Sequence, residues 1–113
     1  MKCAAVGRRF EWEVRNYLEK RGCFVLRSAG SRTVVDLIAI GWGRVMIIQC
    51  KRGGRLSPAE RQELLALAEK ARCRCGQSIV VPVLARRDAA RQLELVRLTG
   101  GKDATRVSES DTD

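Results

Sequence analysis

Asp36, Gln49 and Lys51 stand in a pattern that packing alone does not explain. Asp36 lies in the apolar run VVDLIAI, and the other two close a second run, VMIIQCK, across the intervening GWGR. Paired as a hairpin, the two runs bring a carboxylate, an amide and an ammonium together at one end of an otherwise apolar sheet. Side chains alternate faces along a strand, so Gln49 and Lys51 point the same way and Cys50 points the other. A divalent cation and a phosphate would suit such a trio. The structural alternative is a buried Asp36–Lys51 ion pair with a hydrogen-bonded Gln49.

The elements that must position these residues can be read from periodicity and punctuation. Val6, Phe10, Val14, Tyr17 and Leu18 recur at helical spacing, and Gly22 follows Lys20 and Arg21 as a stop, which predicts a first helix over 4–21. Arg8, Arg9 and Arg15 fall largely off that stripe. Glu11 sits about 100° from Phe10 and about 60° from Val14, at the stripe's edge, where it can reach both core and cleft. CFVLRS is expected to be a short strand and AGSRT a loop, followed by the hairpin. RGGRL, carrying Arg52 and Arg55, is a flexible basic linker. Ser57 as N-cap, Pro58 in the first turn and Glu60 three residues after the cap predict a second helix over 58–72, with Leu64, Leu67, Ala68 and Ala71 inward. SIVVPVLA is a further strand, in which Pro82 suggests an edge position or a bulge. LELVRL is the last strand, so residues 1–100 form one domain. Residues 101–113, polar and acidic, are expected to be a disordered tail.

The chain of 113 residues carries a formal charge of +9, from 22 basic and 13 acidic residues, and 17 of the basic residues are Arg. Guanidinium forks match phosphate oxygens in pairs, so an Arg-dominated excess points to nucleic acid. Residues 102–113 contribute −2, which leaves +11 on residues 1–101. Five cysteines at 3, 23, 50, 73 and 75, with no His, give no regular framework. They argue for a reducing compartment, against a disulfide scaffold and against structural zinc. No apolar stretch of about 18 residues or targeting segment is visible, so a soluble protein acting inside the cell, in the cytoplasm and away from membranes, is expected.

With Gly7 and Glu11 on the first helix, RSAGS at 27–31, Asp36 in VDLIA and IIQCK at 47–51, the chain resembles the archaeal-type Holliday junction resolvases over residues 7–98. These form a branch of the PD-(D/E)xK nuclease superfamily. The resemblance implies an α/β restriction-endonuclease-like fold, a mixed central sheet flanked by helices. It also implies a homodimeric endonuclease that nicks four-way DNA junctions with Mg²⁺, for which Mn²⁺ can substitute. Asp36, Glu11 and Gln49 would be the metal ligands, and Lys51 would orient or deprotonate the attacking water.

Arg27, Ser28, Ser31 and Arg32 would approach the DNA backbone, as would Arg8, Arg9, Arg52 and Arg55. Each of these arginines also has the plainer reading of a solvated charge. Gln49 departs from the family, where a carboxylate stands; its amide oxygen can bind a hard cation but adds no charge. Two other readings stay open: a related restriction or repair nuclease acting on other branched or duplex DNA, and a catalytically silent DNA-binding module. Glu13 could substitute for a ligand, although it lies about 200° around the helix from Glu11. Trp12 and Trp42 could be core or interface residues, or could stack on an opened base.

Overall fold

Phe10, Val14 and Leu18 are buried along one stripe of α1 (Lys2–Lys20), as the helical spacing requires. The structure, a computed structural model, describes residues 2–28, 33–75, 80–99 and 104–107. Helix α1 closes in a Schellman motif: Cys23 N–H donates to Leu18 O (3.0 Å), Gly22 N–H to Glu19 O (3.2 Å), and Gly22 takes φ 93°. The chain then enters β1 (Phe24–Arg27). The hairpin follows as β2 (Leu37–Gly41) and β3 (Arg44–Cys50), with Leu37 opposite Ile48 and Gly41 opposite Arg44. Its turn is therefore Trp42 and Gly43, both at positive φ (58° and 75°). The Trp42 indole N–H donates to Arg21 O at 3.1 Å, which fastens the hairpin tip to the end of α1.

Helix α2 (Pro58–Cys75) starts on the expected capping box: Ser57 N–H donates to Glu60 Oε1 (3.0 Å) and Glu60 N–H to Ser57 Oγ (3.1 Å). It serves as the crossover between β3 and β4 (Val80–Arg87), the one parallel pair in the sheet. β5 (Leu93–Leu98) and β6 (Ala104–Arg106) complete a six-stranded sheet in the order β1-β2-β3-β4-β5-β6. The result is the mixed α/β sheet flanked by helices. One face packs Leu37, Ala39, Met46, Ile48 and Val83 against α1; the other packs Leu84, Val96 and Leu98 against Leu64 of α2.

Four sequence expectations are corrected. Pro82 is not at an edge: it lies in β4 between β3 and β5, opposite Ile47. It is tolerated because the β4–β5 register starts only at Val83, one residue later, so no ladder donor is lost there. The expectation of a disordered tail over 101–113 fails at 104–107, where Ala104–Arg106 pairs with β5, Val107 N–H donates to Leu95 O (2.8 Å), and Val107 is buried. Glu94 anchors that strand, taking Arg86 on one carboxylate oxygen and Arg106 on the other, each at 2.8 Å. Ala71 is exposed instead of inward, while Leu64 and Ala68 are fully buried. Helix α2 also runs three residues past its expected end. Ser31, Arg32, residues 108–113 and the side chains of Cys3, Cys73 and Cys75 lie outside the described residues.

Candidate active site

The polar residues of the hairpin meet at the end of the sheet. Asp36 sits one residue before β2, its N–H on Ile48 O (2.8 Å) and its carbonyl accepting Ser28 N–H (2.9 Å). Lys51 sits one residue beyond β3 and extends the parallel ladder through its N–H to Ala85 O (2.9 Å). Both are therefore held by the strand bonding they terminate. Gln49, within β3, shares a face with Ile47, which packs against the α2-side cluster.

The ion-pair alternative fails on the partners observed. Lys51 Nζ pairs with Glu60 Oε2 of α2 at 3.0 Å, and Asp36 Oδ2 accepts the Cys50 N–H at 2.8 Å. Gln49 is 7% exposed, yet its Oε1 has no hydrogen-bond partner. A buried carbonyl oxygen left unsatisfied costs about 1–3 kcal/mol and calls for an explanation.

Glu11 projects from α1 toward the same end of the sheet and takes the Arg27 Nε of β1 at 3.1 Å. Arg8, Trp12, Arg15 and Leu37 line the recess around that pair. Burial raises the Asp36 carboxyl above its ordinary range, the Cys50 N–H opposes this, and the charge of Glu11 raises it further. Glu11 and Asp36 thus feel each other across the site, and a cation between them would relieve the repulsion. The Cys50 thiol is pushed far up by burial and by the Asp36 and Glu11 charges.

Among the described residues no three His, Cys, Asp or Glu side chains converge as a metal cluster. A cation here would have to be held by two carboxylates, Asp36 and Glu11, and the Gln49 amide oxygen. The orphaned Oε1 fits that set, since hard oxygen donors suit Mg²⁺ or Mn²⁺. Glu13 lies about 200° around α1 from Glu11, and its carboxylate is turned to Arg87 of β4, whose guanidinium also lies over the Phe10 ring.

Of the expected DNA contacts, Arg8, Arg9, Arg27, Arg52 and Arg55 are exposed; Ser28 is half-buried, with its N–H on Asp36 O. Arg8 and Arg27 border the recess beside Glu11, while Arg55 lines a separate recess with Arg61 and Arg86 on the α2 side. Trp12 is 63% exposed at the rim, which removes the core reading for it, whereas Trp42 packs against the α1-side core. Sequence reasoning missed the reach of Glu60 to Lys51. The capping box disclosed the residue, but only as a cap.

A model of the archaeal Holliday junction resolvase family (Hjc) matches residues 2–97. The crossover junction endodeoxyribonuclease Hjc of Methanocaldococcus jannaschii is 39% identical over 67 residues, 56% of this chain and 50% of that protein, so the match spans about half the relative's length. The crystal structure of Archaeoglobus fulgidus Hjc, a Holliday junction resolvase from an archaeal hyperthermophile, superposes with a TM-score of 0.64 at 22% identity, covering 92% of this chain and 89% of that one. At that identity the likeness is one of fold. The family match, however, runs through every element that carries Glu11, Asp36, Gln49 and Lys51, and on it this chain belongs to the archaeal Holliday junction resolvase family.

Proposed function

We propose that the protein is a metal-dependent endodeoxyribonuclease of the crossover junction type, acting as a homodimer on four-way DNA junctions inside the cell. The observation that carries the reading is the buried Gln49 Oε1, unpartnered, at the end of the hairpin that also presents Asp36 and Lys51. Asp36, Gln49 and Glu11 would hold Mg²⁺, with Mn²⁺ as a substitute. The ion, when bound, would supply a Lewis acid and lower the pKa of a bound water.

The chain's own residues divide the rest of the work. Lys51 places a positive charge where negative charge builds on the phosphate and orients the attacking water. The Cys50 N–H holds the Asp36 carboxylate, and the Ile48 carbonyl holds the Asp36 backbone. Arg8, Arg9, Arg27, Arg52, Arg55 and Ser28 are offered as backbone contacts, and Ser31 and Arg32 are carried in the same role from the sequence. Phosphate contacts position a protein without reading bases, which suits recognition by shape. Trp12, exposed and lining the recess with Glu11 and Arg8, would stack on a base unpaired at the branch.

The homodimer rests on symmetry and on an apolar face. A junction is roughly two-fold symmetric, so an isologous pair presents two equal sites to two strands. Phe24, Leu26 and Ile40 are exposed on the β1–β2 face, beside Ile38, which packs toward α2.

A nicking assay on a synthetic four-way junction beside a linear duplex, with Mg²⁺ and then Mn²⁺, tests the reading. Paired nicks in the junction and little cutting of duplex are expected, and Asp36→Asn should abolish cleavage while junction binding holds or tightens as repulsion of phosphate falls. Equal cutting of linear duplex would favour a restriction or repair nuclease. Tight binding without cleavage at any metal concentration would leave a silent binding module.

A further inference from the structure

We infer that Glu60 is a positioning residue for Lys51, the α2 carboxylate that holds the ammonium at the end of β3 where it can serve the phosphate. The inference rests on the nuclease reading of the site. Lysine is a compact charge on a flexible four-carbon stem. Lys51 begins a tight turn, its carbonyl accepting Gly54 N–H at 2.7 Å, so β3 fixes its backbone but not its Nζ. Glu60 Oε2, 3.0 Å from Nζ, does that.

Glu60 itself is held from two sides. Its Oε1 accepts Ser57 N–H (3.0 Å) and its own N–H donates to Ser57 Oγ (3.1 Å), so one carboxylate oxygen closes the helix and the other faces the lysine. The first turn of α2 thereby becomes a clamp on a residue of the sheet. Stability does not account for the pair. The Lys51 and Glu60 side chains are 35% and 29% exposed, and ion pairs so wet are worth about 0–1 kcal/mol. Its effect is on placement. Asp36 and Glu11 also offer negative charge at this end of the sheet, and a lysine released by Glu60 would fall on a carboxylate the cation needs.

Capping and clamping can be separated, because a capping box accepts Glu or Gln at this position. In Glu60→Gln the amide oxygen can still take Ser57 N–H, but the remaining –NH₂ cannot accept from an ammonium. Glu60→Gln should therefore keep its Tm within a few degrees and its junction Kd within about two-fold. Its single-turnover cleavage rate at saturating Mg²⁺ should fall roughly 10- to 100-fold, the scale of loss from misplacing a reacting group. Ser57→Ala, which weakens the cap but leaves Oε2 on Lys51, should lower Tm and leave the rate within a few-fold. In a Lys51→Ala background, Glu60→Gln should cost nothing further in rate.

Four outcomes decide the matter. Loss of rate confined to Glu60→Gln and absent on Lys51→Ala supports the clamp. A full rate in Glu60→Gln beside a dead Lys51→Ala overturns it, and so does a faster Glu60→Gln, which would make Glu60 a brake. A wild-type rate in Lys51→Ala instead overturns the reading of the site on which the clamp depends.

Discussion

Gln49 is the residue on which the candidate centre turns. Its side chain is buried, its Oε1 is unpaired, and it brings no charge to a place where Asp36 and Glu11 already repel each other. Gln49→Glu should therefore act in opposite directions with and without metal. In chelator a further carboxylate buried beside two others lowers Tm; in Mg²⁺ the same charge binds the ion more tightly, so the rise in Tm on adding metal exceeds that of wild type. The Mg²⁺ concentration for half-maximal cleavage should drop roughly ten-fold, about 1.4 kcal/mol, and Gln49→Ala should raise it. Thermal unfolding at graded Mg²⁺ and Mn²⁺ reads the first effect with no need of activity. Metal curves that coincide for wild type and both variants would remove Gln49 from the ligand set.

At the scale of elements, β6 carries more than its three residues suggest. It pairs with Val96–Leu98, seats Val107 in the α1-side core and hands Arg106 to Glu94. Deleting residues 108–113 removes Glu109, Asp111 and Asp113 and should leave folding intact, with junction binding unchanged or tighter. Deleting 102–113 removes the strand as well. Loss of one buried valine and its ladder bonds, about 2 kcal/mol, should lower Tm on the order of 10 °C by differential scanning calorimetry. Equal Tm values for the two deletions would mean that β6 contributes nothing. Sequence patterning missed this strand because ATR is too short and polar to show a period, and its register comes from β5 and from Glu94. It misplaced Pro82 for a related reason, since only the staggered start of β5 reveals that the missing donor faces no partner. The hairpin, the stop at Gly22 and the Ser57–Glu60 box were legible because each is local. The Lys51–Glu60 pair was not, because the angle at which α2 crosses the sheet decides whether those two residues meet.

Over the whole molecule, charge and an uncovered apolar face set the expected behaviour. With +11 on residues 1–101, junction affinity should fall steeply with salt; if about six phosphates are neutralised, the loss is on the order of 10³-fold between 50 and 200 mM. Fluorescence anisotropy across that range measures the slope, and a flat profile would remove phosphate contacts as the main source of affinity. Leu26→Lys, placing a charge among Phe24, Leu26 and Ile40, should shift the protein from dimer to monomer in sedimentation equilibrium while its far-UV dichroism is unchanged. Wild-type protein that sediments as a monomer at micromolar concentration would take the dimer out of the reading.

The bond from Lys51 N–H to Ala85 O has a bearing on when, during synthesis, the candidate site is assembled. Asp36 and Gln49 leave the ribosome well before β4 does, and until β4 docks, Lys51 has neither its strand partner nor a settled α2 to meet. A nascent chain therefore owns the candidate residues without owning their arrangement. On the nuclease reading proposed above, cleavage would wait for the finished sheet, and translation itself would delay it.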